Sequence, residues 1–182
     1  MRRLNIEEIL LAENKMRYKF CPNCGGKLSI KETNSLSQLK CVECSNIFYQ
    51  NPAVGVAAIL IKDKKLLLGR RNISYSNMWC IPCGYVEYYE DVREATVREF
   101  KEETNLDIKL GSVFNVHSNF HNPEQHTVGI WFLVEEYNGA MMPNDDIDKL
   151  DFFSLDEINY LELAFPTDKL IISELVGKGF IG

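Results

Sequence analysis

Between Gly84 and Leu106 the chain reads GYVEYYEDVREATVREFKEETNL, a glycine-opened loop that runs into a segment crowded with charge. From Asp91 to Thr104 no glycine or proline interrupts and helix formers dominate, so a helix beginning near Asp91 is predicted. Acidic residues in its first turn complement the helix dipole. Helical periodicity places Glu99 and Glu103 on one face with Val92 and Ala95, the face expected to turn inward, with Glu102 on its flank. Carboxylates turned toward a core repel one another and lose hydration, so they need cations. Arg98 supplies one charge. A hard divalent ion such as Mg²⁺, which prefers oxygen ligands, supplies the rest. The competing reading is a solvated acidic helix laced with Glu–Lys pairs.

A second pattern lies nearer the N-terminus. Cys21-Pro-Asn-Cys24 and Cys41-Val-Glu-Cys44 are two C-x-x-C pairs separated by sixteen residues, the spacing of a structural zinc ribbon. Gly25 and Gly26 relieve the tight turn after the first pair. Two disulfides are the alternative, but no secretion signal is read at the N-terminus, and a cytoplasmic location is expected. Four thiolates would close the shell of a Zn²⁺ ion, making it structural, and a ribbon of about 30 residues would draw its folding energy from the metal. Cys80 and Cys83 form a third C-x-x-C. In an extended segment their side chains are expected on opposite faces, with Trp79 and Ile81 toward the core and no metal or redox role.

Read with gaps, the charged stretch is Gly84, five residues, Glu90, seven residues, then Arg98-Glu-Phe-Lys-Glu-Glu103, one residue, Asn105-Leu106. This resembles the signature of the Nudix hydrolases, which cleave nucleoside diphosphates linked to another moiety with Mg²⁺ or Mn²⁺. The resemblance implies an α/β (α+β) fold, a mixed sheet sandwiched between helices, here preceded by the zinc ribbon. It also implies roles. Glu99, Glu102 and Glu103 match the metal-binding glutamates, and the Gly84 carbonyl completes the metal shell. Arg98 orients the acids and Glu90 supports the site. The catalytic set is thus Glu90, Arg98, Glu99 and Glu103. Asn105 stands where the family has a glycine in left-handed conformation, and Asn is the next most tolerated residue there.

The rest of the chain fits a division into residues 1–18 (a short amphipathic helix with Leu4, Ile6, Ile9, Leu10 and Leu11), 19–50 (the ribbon) and 51–182 (the hydrolase domain). Ala53–Ile61 is nearly all apolar and suits a buried strand. Lys62–Lys65 is a turn, and Leu66–Leu68 begin the returning strand. Leu106–Val116 and Thr127–Tyr137 read as further strands, and Asn138-Gly139 as a turn. Phe152–Ile158 reads as a strand-to-helix passage, and Pro166 opens a last helix running to about Val176. No apolar run is long enough to span a membrane. The net charge of −6 argues against a sequence-independent grip on nucleic acid. The sequence leaves dimerisation open.

Candidates for a base outside the box are Glu124, Asp145 and Asp146, each read as a solvated loop residue. His117, His121 and His126 match no standard zinc spacing and read as surface, with substrate contact as the alternative. Tyr85, Tyr88, Tyr89 and Phe120 lie near the proposed site and read as packing residues, with stacking on a base or flavin as the alternative. Substrate contacts stay unassigned. A ribbon ahead of the box resembles the NADH pyrophosphatases, yet residues Asp107–Val128 lack their SQPWPFP-type motif. Tyr49–Val54, Trp79–Gly84, the box, and Leu155-Asp-Glu-Ile158 followed by Ala164-Phe165 resemble instead a zinc-ribbon group of FAD and ADP-ribose pyrophosphatases. The implied substrate is a small nucleotide derivative whose cleavage releases AMP. The alternatives are a dinucleotide (NADH) pyrophosphatase and a non-catalytic sensor or partner-binding domain.

Overall fold

The computed structural model describes residues 18–32 and 37–182; the amphipathic helix expected before Tyr18 lies outside them. The chain divides into two compact units, one built from residues up to Pro52 with Asn122–Gln125, the other from Ala53–His121 with His126–Gly182. In the first unit, β1 (Leu28–Glu32), β2 (Ser37–Cys41) and β3 (Ile47–Phe48) form a three-stranded antiparallel sheet. Its core is small: Cys21, Leu28, Leu39 and Cys41, with Ile30 and Phe48 packed against them.

The second unit begins with β4 (Ala53–Ile59), β5 (Ile61–Lys62), β6 (Lys65–Arg71), β7 (Trp79–Cys80) and β8 (Cys83–Tyr85). Helix α1 (Val92–Thr104) follows, then the long strands β9 (Asp107–Asn119) and β10 (Thr127–Asn138). The chain ends with β11 (Ile147–Phe153), a single helical turn α2 (Leu155–Ile158) and α3 (Pro166–Gly177). One sheet has the order β8-β4-β10-β9, and β4 pairs with β10 in parallel. A second has the order β11-β6-β5, with β7 also on β6.

The apolar run starting at Ala53 is explained by burial on both faces. Ala57 and Ile59 pack with Leu66, Leu68, Trp79 and Ile81 against Ile171, Ile172 and Leu175 of α3. Ala58 and Leu60 point the other way, with Leu67 and Cys80, against Phe100 of α1. This period-two partition sandwiches the sheets between the two helices. The single apolar run is broken at Leu60, between β4 and β5, and Asp63 and Lys64 turn the hairpin with φ of 50° and 64°. Pro166 occupies the first turn of α3, where its missing N–H costs nothing. Ser154 and Glu157 form a capping box on α2. Among the described residues, no helix is long and apolar enough to cross a membrane.

At Asn138-Gly139 the chain leaves β10 through a bend, with Gly139 at φ 104°. It then crosses to the C-terminal end of α1, where Met142 N–H donates to the Thr104 carbonyl (2.9 Å) and Asn144 N–H to that of Glu103 (3.1 Å).

Candidate active site

Helix α1 is capped by Asp91, whose carboxylate accepts the Arg93 N–H at 2.8 Å. It ends at Asn105 with φ 61° and ψ 8°, the left-handed conformation expected of the residue replacing glycine. Ala95, Thr96, Phe100, Glu103 and Thr104 are buried, so the inward face carries a carboxyl group. Against this face lies β8, in register with β4 through Val56↔Gly84 and Ala57↔Cys83. The Glu99 carboxylate presses on Gly84: a Cβ there would come within 2.0 Å of Glu99 Cδ. Only glycine permits this approach, which brings the main chain at Gly84 against a motif glutamate. One turn further, Glu103 Oε2 accepts the Cys83 N–H at 2.9 Å.

Arg98 organises the remaining acids. Its Nε and Nη2 hold Glu90 at 2.7 Å each, and its Nη1 holds Glu99 at 2.8 Å and Glu102 at 3.2 Å. Nη2 also donates to the Tyr85 carbonyl (3.1 Å). The bidentate hydrogen bonds from Arg98 pull the Glu90 carboxyl down to about 2. Glu103 behaves oppositely. It is 2% exposed, and burial first, then the neighbouring Cys80 and Asp146, push its carboxyl well above the usual range.

The acids are therefore gathered around a guanidinium and do not converge on a point. Among the described residues, the only set of three or more potential ligands close enough to share an ion is Cys21, Cys24, Cys41 and Cys44. Those four sulfurs lie within 4.8 Å of one another, with Cys21–Cys44 at 3.8 Å and Cys24–Cys41 at 3.5 Å. Tetrahedral Zn–S bonds of about 2.3 Å imply sulfur separations of roughly 3.8 Å, whereas a disulfide needs about 2 Å. Gly25 adopts φ 75° in the first knuckle. The Asn46 N–H, then the Cys24 thiol, pull the Cys44 thiol down, and the neighbouring thiols in turn push Cys24 up, as in a cluster of four thiols sharing protons.

Behind Glu103 is a second polar centre that the sequence did not announce. Arg71, 9% exposed, pairs through Nη2 with Asp146 and donates to the Ser74 carbonyl (2.9 Å) and hydroxyl (2.8 Å). Its Nη1 faces Cys80 Sγ at 3.9 Å, and the guanidinium lies over the Phe165 ring, 5.4 Å from the centroid. Asp146 is thus no solvated loop residue, and its Oδ1 is buried without a partner. Asp145 and Glu124 are exposed, as expected. Cys80 packs in the cluster on the α1 side, and Cys83 packs with Trp79 and Ile81 against the cluster on the α3 side, the opposite faces expected of them. The neighbouring Cys80, then burial, pushes the Cys83 thiol well up. Trp79 and Ile81 do enter the core. Asp168, buried beside the Ile81 N–H, is pushed up to about 8 by burial.

The histidines go separate ways. His117 Nε2 meets Glu174 at 2.9 Å, His121 meets Tyr75, and His126 packs edge-on against Phe120. The packing expected of Tyr88 and Tyr89 is absent: they are 89% and 97% exposed and touch each other edge to face.

A family model described as NUDIX domain matches residues 50–175. A curated relative from Methanocaldococcus jannaschii, named ADP-ribose pyrophosphatase, is 39% identical over 125 residues, 68% of this chain and 73% of that protein. The NAD-capped RNA hydrolase NudC of Pseudomonas aeruginosa is 25% identical over 87% of this chain and 54% of its own length, so the chain spans about half of that relative. The crystal structure of a NUDIX hydrolase from Nitrosomonas europaea superposes with a TM-score of 0.73 at 26% identity, covering 89% of this chain and 92% of that one. With the matching segment filling most of its length and the box acids gathered on α1, the chain belongs to the NUDIX family.

Proposed function

We propose that this NUDIX pyrophosphohydrolase cleaves, with Mg²⁺ or Mn²⁺, the diphosphate of an ADP-ribose-type nucleotide derivative, releasing AMP. The observation that carries the reading is the intact acid set on α1. Glu90, Glu99 and Glu102 are ordered by one guanidinium, with Glu99 against Gly84 and Glu103 one turn on. Four carboxylates of the box against the one guanidinium of Arg98 leave a negative surplus that suits a hard divalent ion. Glu99, Glu102, Glu103 and the Gly84 carbonyl would hold it. When bound, such an ion activates water and offsets phosphate charge. Arg98 keeps Glu99 and Glu102 oriented, Glu90 fixes Arg98, and the Cys83 N–H fixes Glu103 Oε2.

The name of the 39%-identical relative supports ADP-ribose, and FAD shares the same cleavage. A dinucleotide substrate has one specific support, the NudC-type match over 87% of the chain. We assign Cys21, Cys24, Cys41 and Cys44 to a structural Zn²⁺ within a ribbon at residues 19–50, ahead of a hydrolase domain at 51–182. Four cysteines clustered as metal ligands favour a reducing, cytoplasmic setting. The test is hydrolysis of ADP-ribose, FAD, NADH, NAD⁺, a diadenosine polyphosphate and a nucleoside triphosphate with Mg²⁺, with Glu103→Gln as control. AMP release from ADP-ribose, lost in the variant, is expected. Turnover of none of them by zinc-loaded protein would replace the enzyme reading with the sensor.

A further inference from the structure

Three aromatic rings from three separate elements meet beside the Arg71 centre. Tyr75 comes from the loop between β6 and β7, His121 from the loop after β9, and Phe165 from the N-cap of α3. Their centroids are 5.3 Å (Tyr75–Phe165), 5.9 Å (Tyr75–His121) and 5.7 Å (His121–Phe165) apart. His121 Nδ1 faces Asn119 Oδ1, so its Nε2 accepts from the Tyr75 hydroxyl at 3.0 Å. Tyr75 holds φ at 54°, unusual for a bulky residue, and Arg71 fastens the loop at Ser74. Tyr75 and His121 are nevertheless exposed, so the ordering does not serve burial of either ring.

The cluster is continuous with the catalytic helix. Phe165 lies on Arg71, Arg71 pairs with Asp146, and the segment carrying Asp146 is bonded at Asn144 to the Glu103 carbonyl. Solvent-facing rings with a cation behind them, joined rigidly to the diphosphate-cleaving acids, suit a flat heteroaromatic ring attached to that diphosphate. Every candidate substrate carries adenine on the half released as AMP. We infer that Tyr75, His121 and Phe165 form the adenine subsite; this rests on the proposed AMP-releasing reaction.

Binding of AMP, ribose 5-phosphate and FMN, measured by equilibrium dialysis without added Mg²⁺, tests the inference separately from turnover. Tyr75→Asn, which tolerates the left-handed backbone, and His121→Ala are each expected to weaken AMP about tenfold, with ribose 5-phosphate unchanged. Unchanged AMP affinity in both variants, equal weakening of ribose 5-phosphate, weakening of FMN in place of AMP, or no AMP binding by the wild type would each overturn it. Wild type that binds AMP yet cleaves no nucleotide fails the proposed reaction only, and the variants' AMP affinities still decide the subsite.

Discussion

Arg98 and Arg71 each stand among carboxylates of the same domain, yet they do different work. Arg98 is 32% exposed and draws all three of its acids from within the box, none more than eight positions away. Arg71 is 9% exposed, and its carboxylate, Asp146, lies 75 positions along the chain. The first guanidinium stays within reach of solvent. The second is largely shielded, although Asp146 keeps 22% exposure, and its charges are fixed by the packing of β6, β11 and α3. An ion pair near solvent adds little to stability but can order a reactive surface, whereas a buried one becomes costly to break.

The comparison breaks most visibly at the buried centre. Arg71→Ala should destabilise the domain by about 3 kcal/mol, because Asp146 and the carboxyls behind it lose their cation; denaturant unfolding measures this. An unaltered midpoint would mean the two centres are equivalent. Arg98→Ala should show the converse pattern. Turnover should fall by about 10²–10³-fold, the cost of losing one preorganised electrostatic contact, while the unfolding midpoint moves little.

Asp168 sharpens the contrast through pH. Its folded-state pKa of about 8 lies above the ordinary 3.8, so the folded form holds its proton more tightly than the unfolded chain does. Stability from this group is complete below the ordinary value and is lost as pH rises toward 8. Asp168→Asn should therefore melt higher than wild type near pH 8, with the difference shrinking as the medium is acidified toward 4. A constant gap would locate the effect in packing. The smallest effect is expected at Arg70, next in sequence to Arg71 but on the opposite face of β6, paired with Asp148 at 2.8 Å and 3.0 Å in solvent. Arg70→Ala should leave the melting curve unchanged within error.

The neighbouring arginines show why legibility stops where it does. Strand alternation says that Arg70 and Arg71 point apart, but not which side is core. The catalytic helix was readable to its last residue, since capping by Asp91 and the left-handed Asn105 are local chemistry. Asn138-Gly139 marked the bend that ends β10, but not that the following segment would find its partners on α1. Asp146 looked like any loop acid until β11 carried it to Arg71.

By itself, then, the sequence determined the box helix and the four-cysteine knuckles. Their ligands lie within a few turns or a short loop of one another, where backbone geometry alone fixes which side chains meet. Tertiary structure decided that Asp146 is paired, and that Tyr75, His121 and Phe165 meet. Those contacts join residues 44 to 90 positions apart, and no local period encodes them. They exist because burial of both faces of β4 and β6 fixes the order of the strands and the seats of α1 and α3.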